Sequence, residues 1–392
     1  RSLGLRSPPL GGPALIALYW PYVAAVVNVL IAAFASAHAI VYKRDSRAAI
    51  AWVGLIWLSP VLGAFLYATL GVNRIRRQAR ALKSGFVAPR PVTADRPFPR
   101  GGLAPALGPE GEHLLALARL TDGVTERPLL GGNRLAPLEG GDEAYPRMLQ
   151  AIEAARRTVS LSTFIFDRDR CGVRFAEALG RAVGRGVEVR VLVDAMGARY
   201  SWPSVLRDLR RLHVPYARFL PTLLGPGLHY SNLRNHRKIL IVDGRLGFTG
   251  GMNLREGHEL RLAPRHPIRD LHFEVTGPVV GEMQSAVAED WAFSAREVLE
   301  GETWFPPAPP DGPTWARGIA DGPDETFGKL RNVYLGAIAC ARRSLRIVTP
   351  YFLPDSAILT SLVVAAMRGI EVEIFLPARN NLKLVQWAST AI

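Results

Sequence analysis

Residues 235–253 read NHRKILIVDGRLGFTGGMN, and the fold and chemistry of the chain turn on this stretch. Within it His236, Lys238 and Asp243 stand at the spacing H-x-K-x4-D, followed by Gly250, Gly251 and then Asn253. The run KILIVDG reads as a β-strand. Residues two apart on a strand project to one face, so the imidazole of His236 and the ammonium of Lys238 can meet a single ligand. Asp243 falls at the strand end beside a turn at Gly244, and GFTGG returns as a second short strand closing on glycines.

A phosphodiester repels nucleophiles by its own negative charge. A neutral imidazole nitrogen can attack phosphorus and carry a covalent intermediate, dividing one displacement into two. Lys238 supplies positive charge to the non-bridging oxygens, Asn253 can donate hydrogen bonds there, and Gly250 and Gly251 permit close backbone approach. A carboxylate accepting one imidazole N–H fixes the tautomer, although Asp243 need not be the partner of His236 itself. This set requires no metal and no other cofactor. The competing reading, polar residues around an ordinary hairpin, would suit a lone H-x-K better than the full string in register. Arginine also dominates the basic residues: of 48 Lys plus Arg, only Lys43, Lys83, Lys238, Lys329 and Lys383 are lysine.

Outward from this stretch, 392 residues are too many for one ordinary core and indicate two domains or a duplicated one. The net charge of +14 implies an anionic partner, whether nucleic acid, an anionic membrane or a phosphorylated substrate. Cys171 and Cys340 cannot build a disulfide framework and read as small buried hydrophobes in a reducing compartment. Two apolar runs, residues 14–42 and 48–72, each exceed the ~20 residues needed to cross a bilayer and read as a transmembrane hairpin joined by KRDSR. Trp20, Tyr22, Tyr42, Trp52 and Tyr67 lie where amphipathic rings meet the membrane interface. The basic cluster NRIRRQARALK then places the large domain in the cytoplasm, and residues 84–109, rich in Pro, Gly and Ala, read as a linker. The first residue, Arg1 rather than Met, suggests a partial reading frame.

From about residue 142 the pattern is α/β. EAYPRMLQAIEAARR has helical periodicity, TVSLSTFIF reads as a strand, GVRFAEALGRAVGRG as a helix and VEVRVLVDA as a second strand. A repeat follows: residues 154–193 match 340–377 in element order, aligning Ala155-Arg156-Arg157 with Ala341-Arg342-Arg343 and Gly186-Val187-Glu188-Val189 with Gly369-Ile370-Glu371-Val372. This agreement favours a duplicated unit.

The string H-x-K-x4-D-x6-G-G-x-N resembles the signature of the phospholipase D superfamily. The resemblance extends to its bacterial cardiolipin synthase branch, through RAAIAWVGLIWLSPVLGAFLYATLGVNRIRR, YSNLRNHRKILIVDGRLGFTGGMN, IRDLHFEVTGPVV and EDWAF. It implies a transmembrane helical hairpin followed by an α/β phospholipase D-like fold, in which duplicated β-sheet units are flanked by helices and the second unit is incomplete. The expected layout is a tail over 1–12, a two-helix anchor over 13–73, a basic linker over 74–127, a first domain over 128–310 and the start of a second over 311–392. The implied catalytic set is His236, Lys238 and Asp243, with Gly250, Gly251 and Asn253 at the substrate phosphate; Asp270 and His272 stand either behind the imidazole or as purely structural strand residues.

The implied reaction is phosphatidyl transfer through a phosphohistidine, without a metal. One phosphatidylglycerol gives its phosphatidyl group to the enzyme, glycerol leaves, and a second phosphatidylglycerol accepts it to form cardiolipin. The expected location is the bacterial inner membrane, multi-pass, with no nucleic-acid partner. Family members carry a second H-x-K, whereas here no His after His236 is followed by Lys at the second position. The repeat offset puts the counterpart of His236 beyond Ile392, so missing C-terminal residues or, second, a homodimer partner would supply it. The stretch GGMNLREGHE departs from the acidic-aromatic sequence usual after the Asn, leaving Glu256 and His258 either near the headgroup pocket or in a solvated loop. Rival readings are a phospholipase D-type hydrolase, a superfamily nuclease and a non-catalytic membrane scaffold; the apolar hairpin argues against the nuclease.

Overall fold

The computed structural model describes residues 12–43, 46–71, 102–125, 127–220, 234–320, 328–378, 380 and 382–390. The chain divides into two units, residues 1–78 and 79–392.

In the first unit the helix Gly12–Tyr42 includes a segment, Leu18–Tyr42, long and apolar enough to cross a membrane. The second apolar run, expected as one continuous span, is instead broken. It forms the helices Ser46–Leu58 and Pro60–Leu66 and a π-helical turn Tyr67–Gly71. Pro60 explains the break, since its ring fits the first helical turn but cannot continue a preceding one. Gly63 fits the bend because a β-carbon there would lie 2.5 Å from the Leu55 carbonyl oxygen. Ala32, Ala39, Ile56 and Tyr67 are buried together, and His38 Nδ1 meets the Tyr67 hydroxyl at 2.8 Å.

The basic cluster after the second run and most of the expected linker lie outside the described residues. Where 102–125 is described, the linker expectation is corrected: the chain forms the helices Leu103–Gly111 and Leu114–Val124. Gly108 and Pro109 break the first of these, which is what hid the helical period. The second packs Leu117 and Leu120 against Gly336 in the helix Lys329–Cys340.

The second unit is built on an eight-stranded mixed sheet in the order β4-β3-β2-β5-β6-β7-β1-β8. These strands are β1 (Leu130–Glu139), β2 (Thr158–Thr163), β3 (Glu188–Asp194), β4 (Tyr216–Phe219), β5 (Ile239–Val242), β6 (Leu246–Gly250), β7 (Leu271–Thr276) and β8 (Thr314–Ala316). β2, β3 and β4 run parallel, as helical crossovers require, and β5 reverses direction against β2. The helices Gly140–Ala154 and Arg170–Gly184 cover one face, where Val159, Leu161, Leu240 and Val242 join the main core. The helix Val279–Ala295 covers the other, packing Val280, Met283 and Val287 on Ile239 and Ile241. With both faces covered, every residue of β2 is buried.

Residues 164–166, expected within the strand, leave the ladder, since the pairing of β2 with β3 ends at Thr163–Val193. The β5–β6 hairpin turns at Asp243 and Gly244, with φ of 51° and 63°. Both central residues are left-handed, as the twist of a tight hairpin demands, and Asp and Gly tolerate it.

The repeat is present in the backbone. The helix Lys329–Cys340, β9 (Ser344–Val348), the helix Ser356–Met367 and β10 (Glu371–Phe375) follow the order seen from Gly140 to Asp194, and β9 pairs with β10 in parallel. Asp169 and Asp355 cap the corresponding helices, Val187 and Ile370 donate to the carbonyls of Ala182 and Ala365, and Gly186 and Gly369 share φ of 84°. Thr163 and Thr349 donate their hydroxyls to the carbonyls of Ile165 and Tyr351.

Candidate active site

The site lies at one end of the sheet. The carboxyl ends of β2, β3 and β6 meet there with the approach to β5 and the start of β7, the side on which α/β sheets commonly present ligand sites. His236 and Lys238 precede β5 rather than lying within it, but they share a side as the strand spacing predicts. Lys238 Nζ is 3.2 Å from His236 Nδ1 and donates to the His236 carbonyl at 2.7 Å.

Asn235 pins this approach. Its N–H donates to Asp194 at 2.9 Å, and its side-chain amide donates to Ser162 Oγ at 3.3 Å and Asp290 at 2.9 Å. Arg237 pairs with the same Asp290. Asp194 ends β3 fully buried, accepting also from Met196 N–H at 2.8 Å, and burial raises its pKa against these bonds.

Phe164 places its ring 4.5 Å from that of His236, with the Lys238 ammonium 5.5 Å over its centroid. The surroundings dehydrate both catalytic candidates. Burial, then the Lys238 charge, lowers the His236 pKa to about 4. Burial lowers that of Lys238 to about 8, against the opposing pull of Asp270 and Asp194. Near neutrality the pair is therefore a neutral imidazole beside an ammonium.

The remaining motif residues divide. Asp243 does not join this cluster. It sits at the opposite end of β5, where its carboxylate accepts from the backbone amides of Arg156 at 3.0 Å, Arg157 at 2.7 Å and Thr158 at 2.9 Å. Its neighbour in space is the start of β2, not the imidazole.

Gly250 and Gly251 do allow a close approach, but to β7. A β-carbon on Gly250 would lie 2.4 Å from the Leu271 carbonyl oxygen and 2.7 Å from His272 Nδ1. One on Gly251 would lie 2.2 Å from Asp270 Oδ1. The glycine pair thus lays the Asp270 carboxylate and the His272 ring against the end of β6, within electrostatic reach of Lys238.

Asn253 braces the segment after Phe164. Its side-chain oxygen accepts from Ile165 N–H at 3.0 Å and its carbonyl from the Tyr145 hydroxyl at 2.5 Å, while its NH2 group has no partner among the described residues. His272 and His258 are each only 2% exposed, and each has an Nδ1 without a partner. Burial first lowers both to about 4. His258 is therefore an interior group rather than a solvated loop residue, and Glu256 receives Arg170 at 3.3 Å.

Sequence reasoning did not single out Asn235, Asp194, Asp290 or Phe164. Asn235 adjoins the motif and Asp290 lies in the quoted EDWAF, but nothing local in the sequence shows that they meet. Among the described residues no group of His, Cys, Asp and Glu is arranged to hold a metal.

The chain is similar to known proteins over most of its length. Residues 148–260 and 334–392 match the family described as cardiolipin synthase, PLD-like domain, so the two matched segments fall on the two repeats. The chain is 30% identical over 356 residues to cardiolipin synthase A of Pseudomonas fluorescens, covering 91% of this chain and 74% of that protein. It is likewise 30% identical over 357 residues to cardiolipin synthase of Geobacillus thermodenitrificans, covering 88% and 69%. Among solved structures, phosphatidylserine synthase of Haemophilus influenzae is similar at 13% identity and a TM-score of 0.48, covering 67% of this chain and 66% of that one. Sequence identity sustained across both repeats and the segment before them is a family relationship, and this chain belongs to the cardiolipin synthase family of phospholipase D-like phosphatidyltransferases.

Proposed function

We propose that this chain moves a phosphatidyl group from one phosphatidylglycerol to another, releasing glycerol and forming cardiolipin, with His236 as the covalent carrier. The observation that carries this reading is the 3.2 Å contact between Lys238 Nζ and His236 Nδ1, in surroundings that leave the ring neutral. A bound phosphodiester competes for the ammonium. Once Lys238 turns to the non-bridging oxygens, the ring is released to present a lone pair to phosphorus.

The imidazole nitrogen then bonds to phosphorus and the bond to the glycerol oxygen breaks, that oxygen taking a proton as glycerol departs. In the second half, a hydroxyl of another phosphatidylglycerol bonds to phosphorus, gives up its proton and frees His236. The group that handles these protons is the counterpart of His236 in the second repeat or, less favoured, the same residue of a second copy of the chain. Gly250, Gly251 and the free NH2 of Asn253 border the phosphate position, and Asp270 and His272 set the charge behind it. Asp243 supports the fold of this centre from the far end of β5.

The layout that goes with this reading is a tail over 1–12, a two-helix anchor over 13–73, a connecting segment over 74–127, a first phospholipase D-like domain over 128–310 and a second beginning at 311. The apolar segments hold the site at the inner membrane with the large domain in the cytoplasm, which raises the local concentration of lipid headgroups. Nucleic acid is not a substrate in this account.

The test is to supply the enzyme with headgroup-labelled and phosphorus-labelled phosphatidylglycerol in vesicles. Glycerol release, cardiolipin formation and a labelled protein that disappears in His236→Ala are expected. Accumulation of phosphatidic acid would show that water is the acceptor, and labelling that survives His236→Ala would remove His236 as carrier.

A further inference from the structure

The loop after β3, residues 196–203, is anchored at the His236 end of the sheet yet exposes its largest apolar side chain almost completely. A β-carbon on Gly197 would lie 1.6 Å from the Phe164 carbonyl oxygen, so the turn is seated directly on that backbone. Arg199 N–H donates to the Met196 carbonyl at 3.1 Å and Arg168 N–H to Ser201 Oγ at 2.9 Å. The Tyr200 ring stands 6.3 Å from Phe164, which itself stacks on His236 at 4.5 Å. From this fixed base Trp202 is 97% exposed and Tyr200 59%. Tryptophan is highly buried on average, and an anchored loop that holds it out in water forgoes a large apolar burial.

The charge around it supplies the complement. Arg199 is exposed with no carboxylate partner among the described residues. Across the sheet from β3, before and at the start of β7, Leu262, Arg265 and Leu271 are exposed, and Arg265 is also unpaired among the described residues. Amphipathic rings and apolar side chains interleaved with arginine are the chemistry of a protein surface seated among anionic headgroups.

We propose that these two rims form a bilayer-contact surface, in which Trp202 and Tyr200 enter the headgroup layer of an anionic membrane and hold the His236 end of the sheet toward lipid. The inference rests on the phosphatidyl-transfer reading for its purpose, but its geometry is tested independently. The loop fixes orientation, a task that a tether at the chain's amino-terminal end leaves open.

The test uses the full chain carrying Cys340→Ser and a nitroxide on Trp202→Cys, in vesicles of phosphatidylethanolamine and phosphatidylglycerol. The control label is on Arg245→Cys, in the hairpin turn at the opposite end of β5. At residue 202, oxygen dissolved in the bilayer relaxes the label more strongly than a water-soluble nickel chelate does; at residue 245 the order reverses. Free collision of the 202 label with the chelate would overturn the proposal, and so would shielding from both reagents, the sign of a protein partner or a second copy.

Trp202→Ala lowers turnover on vesicles by about tenfold and leaves the rate on short-chain phosphatidylglycerol, kept below its micelle concentration, unchanged. Equal loss on both substrates would refute the orienting role. Absence of cardiolipin when the second H-x-K is supplied would refute the reaction while leaving the depth measurement to stand.

Discussion

Asp243→Asn separates chemistry from folding within the motif. The Asp243 carboxylate accepts from three consecutive backbone amides, those of Arg156, Arg157 and Thr158, at 2.7–3.0 Å. Hydrogen bonds to a charged acceptor are worth about 1.5–3 kcal/mol each where they are buried, and less at a partly solvated turn such as this. Asparagine keeps one acceptor oxygen and tolerates the left-handed φ of 51°. The change therefore costs the charge and at least one bond, about 2–3 kcal/mol in all. Its direct effect on the site is small: seven residues at ~3.3 Å each put Asp243 on the order of 20 Å from His236. Over that distance a unit charge contributes about 0.2 kcal/mol in a water-like medium. The expected result is a lower denaturant midpoint for the detergent-solubilised chain at unchanged slope, with kcat per folded molecule within about threefold of the parent. A loss of about a thousandfold in kcat with an unshifted midpoint would refute this argument and return Asp243 to the reacting centre.

The pH dependence follows from the paired groups. The proposed reaction needs His236 neutral, hence pH above about 4, and Lys238 charged, hence pH below about 8, so initial rates should form a plateau between these limits; a plateau running unchanged past about pH 10 would exclude Lys238. Gly251→Ala forces the Asp270 carboxylate away, since its β-carbon would lie 2.2 Å from Oδ1. Asp270 raises the Lys238 pKa, so its displacement moves the alkaline arm to lower pH, and Asp270→Asn should do the same without the steric change. The buried imidazoles of His258 and His272 have folded-state pKa values near 4 against an ordinary 6.5. The folded state thus excludes protons that the unfolded chain binds, and stability declines as pH falls from about 6.5 to about 4. Denaturation across that range should show a shallower decline in His258→Phe, and an unchanged slope would contradict the assignment.

The alternation of helix and strand from residue 142 was legible because each element is long and periodic, and the repeat was legible because its capping and turn residues recur in register. Asp169 and Asp355 cap equivalent helices, and Gly186 and Gly369 end them. The broken second apolar run was harder to read. Composition measures apolarity over a window and passes over a single Ser59–Pro60 step, although Pro60 marked the break for any argument built on backbone geometry. The helices within 102–125 were hidden for the opposite reason, since Gly108 and Pro109 look like linker chemistry yet only divide one helix from the next turn.

At the site itself, spacing brings His236 and Lys238 together but does not show what the rest of the string touches. His236 and Lys238 meet through their local spacing in the segment that enters β5, which two residues suffice to specify. Asp243, Gly250 and Gly251 make contacts across the sheet, to the start of β2 and to β7, which no local spacing reveals. The register of β5 is consequently held several times over: by ladders to β2 and β6, by Asn235 on Asp194 and Asp290 at the His236 end, and by Asp243 at the other. A slip of one residue would turn Lys238 to the opposite face. Because the ladders and Asn235 remain when Asp243 is changed, that substitution weakens the fold before it disturbs the 3.2 Å contact between Lys238 and His236. Loss of Asn235, by contrast, removes the bonds nearest the imidazole and acts on geometry first.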